Sequence, residues 1–275
     1  MFNIIKTRLR QKHRTIAYPK QPPSLPDRFR GFPLLGSGVC AEGCAACSEV
    51  CPTNAVTSEK SGGLQLDMGK CVLCGKCAEG CPAGLITFSK DHRLAASTRE
   101  ACVAIAGQAP PLASPLPPKL LSLFKRSLKI RVVSAGGCNA CEADINVLST
   151  IVFDIGRFGI QYVASPRHAD AMLVTGAAPR NMHAAIKKTY DAIPDPKIVI
   201  AVGACAISGG LFAGHTQECA GVAALVPVDL FIPGCPPHPI TILDGLLRIL
   251  DTIKGSEPPR GSVIHQADNL LNNHD

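Results

Sequence analysis

Apolar residues run in short unbroken blocks through the second half of the chain: Lys129 to Val133 (KIRVV), Ile160 to Ala164 (IQYVA), Ala171 to Thr175 (AMLVT), Lys197 to Val202 (KIVIAV) and Asp229 to Ile232 (DLFI). Blocks of this length and continuity predict strands buried on both faces, as in a parallel sheet. Between them lie amphipathic stretches, Glu142 to Phe153, Asn181 to Ala192 and Pro239 to Lys254, which predict helices. Strands alternating with helices imply βαβ crossovers, so residues 128–255 are expected to form an α/β domain with a flavodoxin-like parallel sheet. Ligands on such sheets sit beyond the carboxyl ends of the strands.

The first half has another texture. Residues 1–15 predict a short basic helix with Phe2, Ile5 and Leu9 on one side, followed by the proline-rich stretch YPKQPPSLPDRFRGFP; together they make an arm over 1–35. An arm without its own core either lies along a partner or is a flexible tail. Residues 36–102 form a compact cysteine-rich domain of α+β type. Five prolines in the eleven residues 108–118 mark a semi-rigid linker over 103–127. The tail, 256–275, is polar and aperiodic, and is expected to be loosely ordered.

The chemistry is carried by cysteine. Cys40, Cys44, Cys47 and Cys51 form one run and Cys71, Cys74, Cys77 and Cys81 a second, each ending in Cys-Pro. The second run has the CxxCxxCxxxCP spacing of two-cluster ferredoxins, in which the fourth cysteine serves the other cluster. Three thiolates in a tight loop reach three corners of a cubane, and the fourth corner needs a ligand from elsewhere. One [4Fe–4S] cluster is therefore assigned to Cys40, Cys44, Cys47 and Cys81, and a second to Cys71, Cys74, Cys77 and Cys51. The similar continuations CPTNAVTS and CPAGLITFS mark an internal repeat. The first run departs from the pattern, because three residues instead of two separate Cys40 from Cys44. Gly43 is placed to absorb the extra residue. Paired structural zinc sites also use CxxC, but they call for neither a crossed fourth ligand nor a terminal Cys-Pro.

Four more cysteines fall in the loops where a parallel sheet presents ligands: Cys138 and Cys141 (GGCNACE), Cys205 (GACAISGG) and Cys235 (PGCPPHP). Glycines around them allow the backbone to approach inorganic sulfide closely, so a third [4Fe–4S] cluster is assigned here. Cys102 and Cys219 lie outside every motif and read as small apolar residues. His238 follows Cys235 by three residues and reads either as a group titrating beside that cluster or as an interface histidine. Arg180 reads as an interface anchor or a solvated arginine at a helix start. Glu142 and Asp144 favour the dipole of the helix they open.

Composition limits the alternatives. The chain has 275 residues, 46% of them hydrophobic, and a formal charge of +7. Three cubanes, each contributing 2− with its four thiolates, bring that charge to about +1. With twelve aromatic residues and no tryptophan, there is no stacking platform for nucleic acid, and none is expected as a partner. No apolar run reaches membrane-spanning length, and the apolar patch at residues 2–5 precedes the charges, the wrong order for a secretory signal. A cytoplasmic setting is expected.

The stretch Lys129 to Leu250, with GGCNACE, TGAAPRNM, VGACAISGGLF and IPGCPPHPITILDGLL, resembles the small electron-transfer subunit of group 4 membrane-bound [NiFe] hydrogenases and the homologous 20 kDa-type subunit of complex I. The first part, with its YP arm, FRGFP and two cysteine runs, resembles the ferredoxin-type subunit of formate hydrogenlyase. The Cys138-Asn-Ala-Cys141 spacing matches the hydrogenase form; the complex I form has adjacent cysteines. The resemblance implies an electron relay without a catalytic site of its own, held peripherally on the cytoplasmic side of the inner membrane by the membrane subunits of its complex. It further implies a large partner subunit, [NiFe]-type or complex I 49 kDa-like, next to the third cluster, and a donor or acceptor protein at the ferredoxin end. An equivalent subunit of a complex I-like quinone reductase and a free ferredoxin-like carrier or sensor are the alternatives.

Overall fold

The computed structural model describes residues 2–12, 14–38, 40–58, 63–108, 110–217 and 220–253. The expected tail over 256–275 and Cys219 lie outside the described residues. The chain opens with α1 (Phe2–Gln11). The cysteine-rich half follows with β1 (Pro33–Leu35), α2 (Ala46–Glu49), β2 (Val56–Ser58), β3 (Leu64–Asp67), α3 (Lys76–Glu79), β4 (Ile86–Phe88) and β5 (Val103–Ile105). The helix α4 (Pro118–Phe124) leads into the second half: β6 (Leu128–Ser134), α5 (Ala140–Val147), β7 (Ile160–Tyr162), β8 (Ala171–Thr175), α6 (His183–Ala192), β9 (Ile198–Val202), α7 (Ala204–Ser208), β10 (Leu230–Ile232) and α8 (Pro239–Ile249).

The internal repeat is visible as geometry. The helices α2 and α3 start thirty positions apart, and so do β2 and β4. After each helix a backbone N–H four residues on points back at the run's last cysteine: Ala55 donates to Cys51 Sγ at 3.2 Å and Leu85 to Cys81 Sγ at 3.4 Å. The strands form two small antiparallel sheets, β1 with β4 and β2–β3–β5. Leu64, Leu66, Met68, Ile86 and Phe32 fill the space between them.

The second half is a five-stranded parallel sheet in the order β7–β6–β8–β9–β10, the flavodoxin-like 2-1-3-4-5 arrangement. Every residue of β8, β9 and β10 is buried, which is why their sequences are continuously apolar. The helix α8 is buried along its whole length, and it packs with α5 over one sheet face; α6 and α7 cover the other. In the middle of α8, a Cβ on Gly245 would lie 2.9 Å from the Ala95 methyl, so glycine there admits the segment that leaves the first half.

Several expectations need correction. The segment 103–127, read as linker, supplies β5 to the first half, with Asp67 paired to Val103, and then α4. Ala104 is buried between apolar neighbours, a role that a short VAI stretch gives no periodicity to reveal. The stretch from 142 to 153 is helical only to Val147, because Asp154 adopts φ +46 and the intervening residues fold into turns. The helix from Pro239 ends at Ile249 with Leu250 as its cap. The part of the arm after α1 is tied to the second half of this chain. The Tyr18 hydroxyl donates to buried Asp244 of α8 at 2.5 Å, and Arg157 donates to the Tyr18 carbonyl at 2.9 Å. Asp244 also accepts from Arg248 at 2.8 and 3.0 Å, and His92 Nε2 lies 3.3 Å from the Tyr18 hydroxyl.

Candidate functional site

In the first half Cys47 lies near Cys40 and Cys81, and Cys71 and Cys77 lie near Cys51 and Cys74. Burial pushes the Cys47 thiol up, and the nearby sulfurs of Cys81 and Cys40 push it further. Cys71 is driven to about 12 by burial, with Cys77, Cys51 and Cys74 adding repulsion, and Cys77 to about 11 by burial and the same neighbours Cys51 and Cys74. Cys51 and Cys81 thus each face the other run's cysteines. Burial works against the Cys51 thiolate, but backbone N–H groups of Thr53, Ala55 and Val56 outweigh it and hold its pKa below the ordinary value. Cys51, Cys71, Cys74 and Cys77 line one small cavity, walled by Val56 and Phe88. In the first run Gly43 takes φ +73 inside a turn closed by the Cys44 N–H on the Ala41 carbonyl at 3.0 Å, which is how the extra residue is accommodated.

The third set forms at the carboxyl edge of the parallel sheet. Cys138 lies just before α5 and Cys141 in its first turn, after β6; Cys205 opens α7 after β9; Cys235 follows β10. Cys141 is pushed to about 12 by burial, then by Glu142 and the sulfurs of Cys205, Cys235 and Cys138. Cys205 is pushed to about 11 by burial and by Cys235 and Cys138. Glycine is required at two positions here. A Cβ on Gly203, at φ +90, would sit 2.7 Å from Cys141 Sγ, and one on Gly210, at φ +54, would sit 3.0 Å from Cys205 Sγ. Among the described residues no group of three or more His, Cys, Asp or Glu closes on a single metal ion. A cubane instead places each thiolate on its own iron, and this all-sulfur donor set with its glycine clearance suits that larger group.

Glu142 does more than favour a helix dipole. Burial raises its pKa, but the hydroxyls of Ser134 (2.5 Å) and Thr175 (2.7 Å) donate to Oε1 and hold the carboxyl below its ordinary value. These residues bridge β6 and β8, the adjacent strands where the strand order reverses. No spacing rule connects Ser134, Glu142 and Thr175 in sequence. His238 caps α8, accepting the Ile240 N–H on Nδ1 at 3.2 Å, and meets Phe29 of the arm edge to face at 5.5 Å. Arg180 opens a 3₁₀ turn before α6, its N–H on the Gln217 carbonyl. Cys102 is fully buried, its Sγ 3.7 Å from the Thr98 carbonyl.

The two halves meet beside the thiols. A cavity is lined by Val72 and Leu73, from the loop between Cys71 and Cys74, and by Phe29, Cys235, Pro236 and His238. In the turn that leads into Cys71, the Gly69 carbonyl accepts from Ser208 of α7 at 2.9 Å. Leu211 and Phe212, just beyond Cys205, are 58% and 47% exposed, and Cys138 and Cys235 are exposed as well.

Residues 39–85 match the family described as 4Fe-4S dicluster domain, and residues 138–249 match that described as NADH ubiquinone oxidoreductase, 20 Kd subunit. The chain is 44% identical to formate hydrogenlyase subunit 7 of Escherichia coli over 52% of its own length and 56% of that protein's. It is 41% identical to the protein named "Probable membrane-bound hydrogenase subunit mbhJ" of Pyrococcus furiosus over 51% of this chain and 87% of that one. An NADH-quinone oxidoreductase subunit of Desulfovibrio desulfuricans is 40% identical over 42% of this chain and 63% of its own. On the strength of these matches and of the parallel sheet that carries Cys138, Cys141, Cys205 and Cys235, the chain belongs to the family of the NADH ubiquinone oxidoreductase 20 kDa subunit.

Proposed function

We propose that the chain is the electron-relay subunit of a membrane-associated, multisubunit hydrogenase complex of the formate hydrogenlyase kind. In this reading it carries three [4Fe–4S] clusters, on Cys40/Cys44/Cys47/Cys81, Cys71/Cys74/Cys77/Cys51 and Cys138/Cys141/Cys205/Cys235. Each cluster, when bound, takes up and releases one electron. The observation that supports the reading is the proximity of Cys47 to Cys40 and Cys81, of Cys71 to Cys51, Cys74 and Cys77, and of Cys141 to Cys138, Cys205 and Cys235.

The residues of this chain hold, insulate and tune. N–H groups of Ala55, Leu73 and Leu85 donate to Cys51, Cys71 and Cys81 sulfurs, withdrawing electron density from the ligands. The order of the relay follows from the junction. Val72 and Leu73 share a cavity with Cys235, and Gly69, two residues before Cys71, accepts from Ser208, three after Cys205, so in this reading the second cluster neighbours the third and the Cys40 site is the outer end, where a donor or acceptor protein docks. The exposed Leu211 and Phe212 beside Cys205 supply the apolar surface for a large subunit of [NiFe] type, in which the electrons are used. Membrane subunits hold the assembly on the cytoplasmic side of the inner membrane, with this chain peripheral; no described helix is long and apolar enough to cross a membrane.

The 40% identity to an NADH-quinone oxidoreductase subunit favours a second reading, the same relay feeding a 49 kDa-like subunit and a quinone. Purification of the complex with metal analysis separates them: about twelve iron per copy with nickel in a co-purifying subunit is expected. The same iron without nickel selects the quinone reading, whereas about eight iron or stoichiometric zinc overturns the three-cluster assignment.

A further inference from the structure

The helix α1 buries none of its residues. Phe2, Ile5 and Leu9 recur at helical spacing on one side, 89%, 54% and 73% exposed. Asn3, Thr7 and Gln11 occupy the opposite side together with Ile4, and Lys6 and Arg8 flank the apolar stripe, where a long stem can run along the surface while its head reaches water. Residues 2–14 contain Lys6, Arg8, Arg10, Lys12 and Arg14 and no carboxylate; the first acidic residue of the chain is Asp27.

The helix is held at its base. Thr15 Oγ1 donates to the Ile151 carbonyl at 2.7 Å and the Ile16 N–H to the Val152 carbonyl at 2.9 Å. Ile151 is 71% exposed and Val152 40%, so the apolar face of α1 is tethered beside a second exposed apolar pair. These residues follow α5, at the end of the α/β domain remote from Cys138 and Cys141.

We propose that α1 lies in the headgroup layer of an anionic lipid bilayer, with Phe2, Ile5 and Leu9 dipped towards the acyl chains and the basic side chains on lipid phosphates. A protein groove that took the apolar stripe would leave the five cations in water with no contact of their own. A negatively charged lipid surface meets them all without matching their positions, and an apolar ridge bordered by Lys and Arg is what such surfaces bind. The contact gives the chain a membrane attachment of its own, in addition to any partner subunit, and it does not depend on the clusters.

The test is co-sedimentation of the full-length, iron-loaded chain with vesicles of phosphatidylcholine containing phosphatidylglycerol, beside vesicles of phosphatidylcholine alone. Binding to the anionic vesicles, weakening as salt is raised, is expected. Lys6→Gln and Arg10→Gln should each lower the association constant by about fivefold. Leu9→Glu should abolish binding while iron content and visible spectrum stay at wild-type values, since no core residue rests on α1. Equal binding to both vesicle types, undiminished binding of Leu9→Glu, or no binding at low salt overturns the proposal. In the assembled complex, a photocrosslinker at Leu9 should label lipid; labelling of a protein subunit alone also overturns it.

Discussion

Ser208 donates its hydroxyl to the carbonyl of Gly69 at 2.9 Å, joining the helix that carries Cys205 to the turn that leads into Cys71. A Cβ on Gly69 would lie 2.7 Å from an Ile207 methyl and 2.9 Å from the Arg99 guanidinium carbon. The absence of a side chain therefore sets how closely the two cysteine-bearing halves approach. Gly69→Val is expected to wedge this contact apart, costing about 1–3 kcal/mol as overpacking does. It should slow electron transfer between the halves with iron content unchanged; stopped-flow reduction followed by rapid-freeze EPR measures this.

The Tyr18–Asp244 hydrogen bond clasps the arm to α8. Tyr18→Phe removes a donor to a buried carboxylate that keeps its Arg248 partner, an expected loss of about 1.5–3 kcal/mol. Asp244→Asn leaves the buried Arg248 guanidinium beside a neutral group and should cost more, about 3–5 kcal/mol. Thermal melts of the loaded protein rank the two, and an unchanged melting temperature for Tyr18→Phe would contradict the clasp.

His92 gives the clasp a pH dependence. Burial lowers its pKa below the ordinary 6.5, outweighing the nearby Asp244 and Asp91 carboxylates, so the folded protein holds it neutral where the unfolded chain takes a proton. The unfolded state then binds more protons, and stability falls as pH drops from 6.5 towards the folded value, while above 6.5 His92 contributes no slope. His92→Gln should flatten the fall in melting temperature over that window relative to wild type.

Gly203 faces Cys141 with φ +90, and a methyl there would contact the sulfur at 2.7 Å. Gly203→Ala is expected to displace the Cys141 thiolate, lowering iron by about four per chain while the signals of the first-half clusters persist. Iron analysis with EPR of the reduced protein checks both parts. Full iron loading would show that the Cys141 loop moves without losing its ligand.

Local sequence determined much of this protein. The strands β8, β9 and β10 were legible because burial on both faces leaves an unbroken apolar run, whereas β6 and β7 expose Lys129 and Gln161; the cysteine runs were legible because their spacing is contained within short loops. Local sequence also located α1, whose period of apolar positions needs no partner to be read. It did not reveal β5, which is a strand only because β3 offers it an edge, nor the end of α5 at Val147. Tertiary structure alone decided that Ser134 and Thr175 hold Glu142, that Tyr18 reaches Asp244 across 226 positions, and that Leu73 and Cys235 line one cavity. The physical reason is one of range. Spacing within a loop or a turn is written in consecutive residues, whereas a hydrogen bond between distant segments exists only after the sheet and α8 have brought them within about 3 Å of each other.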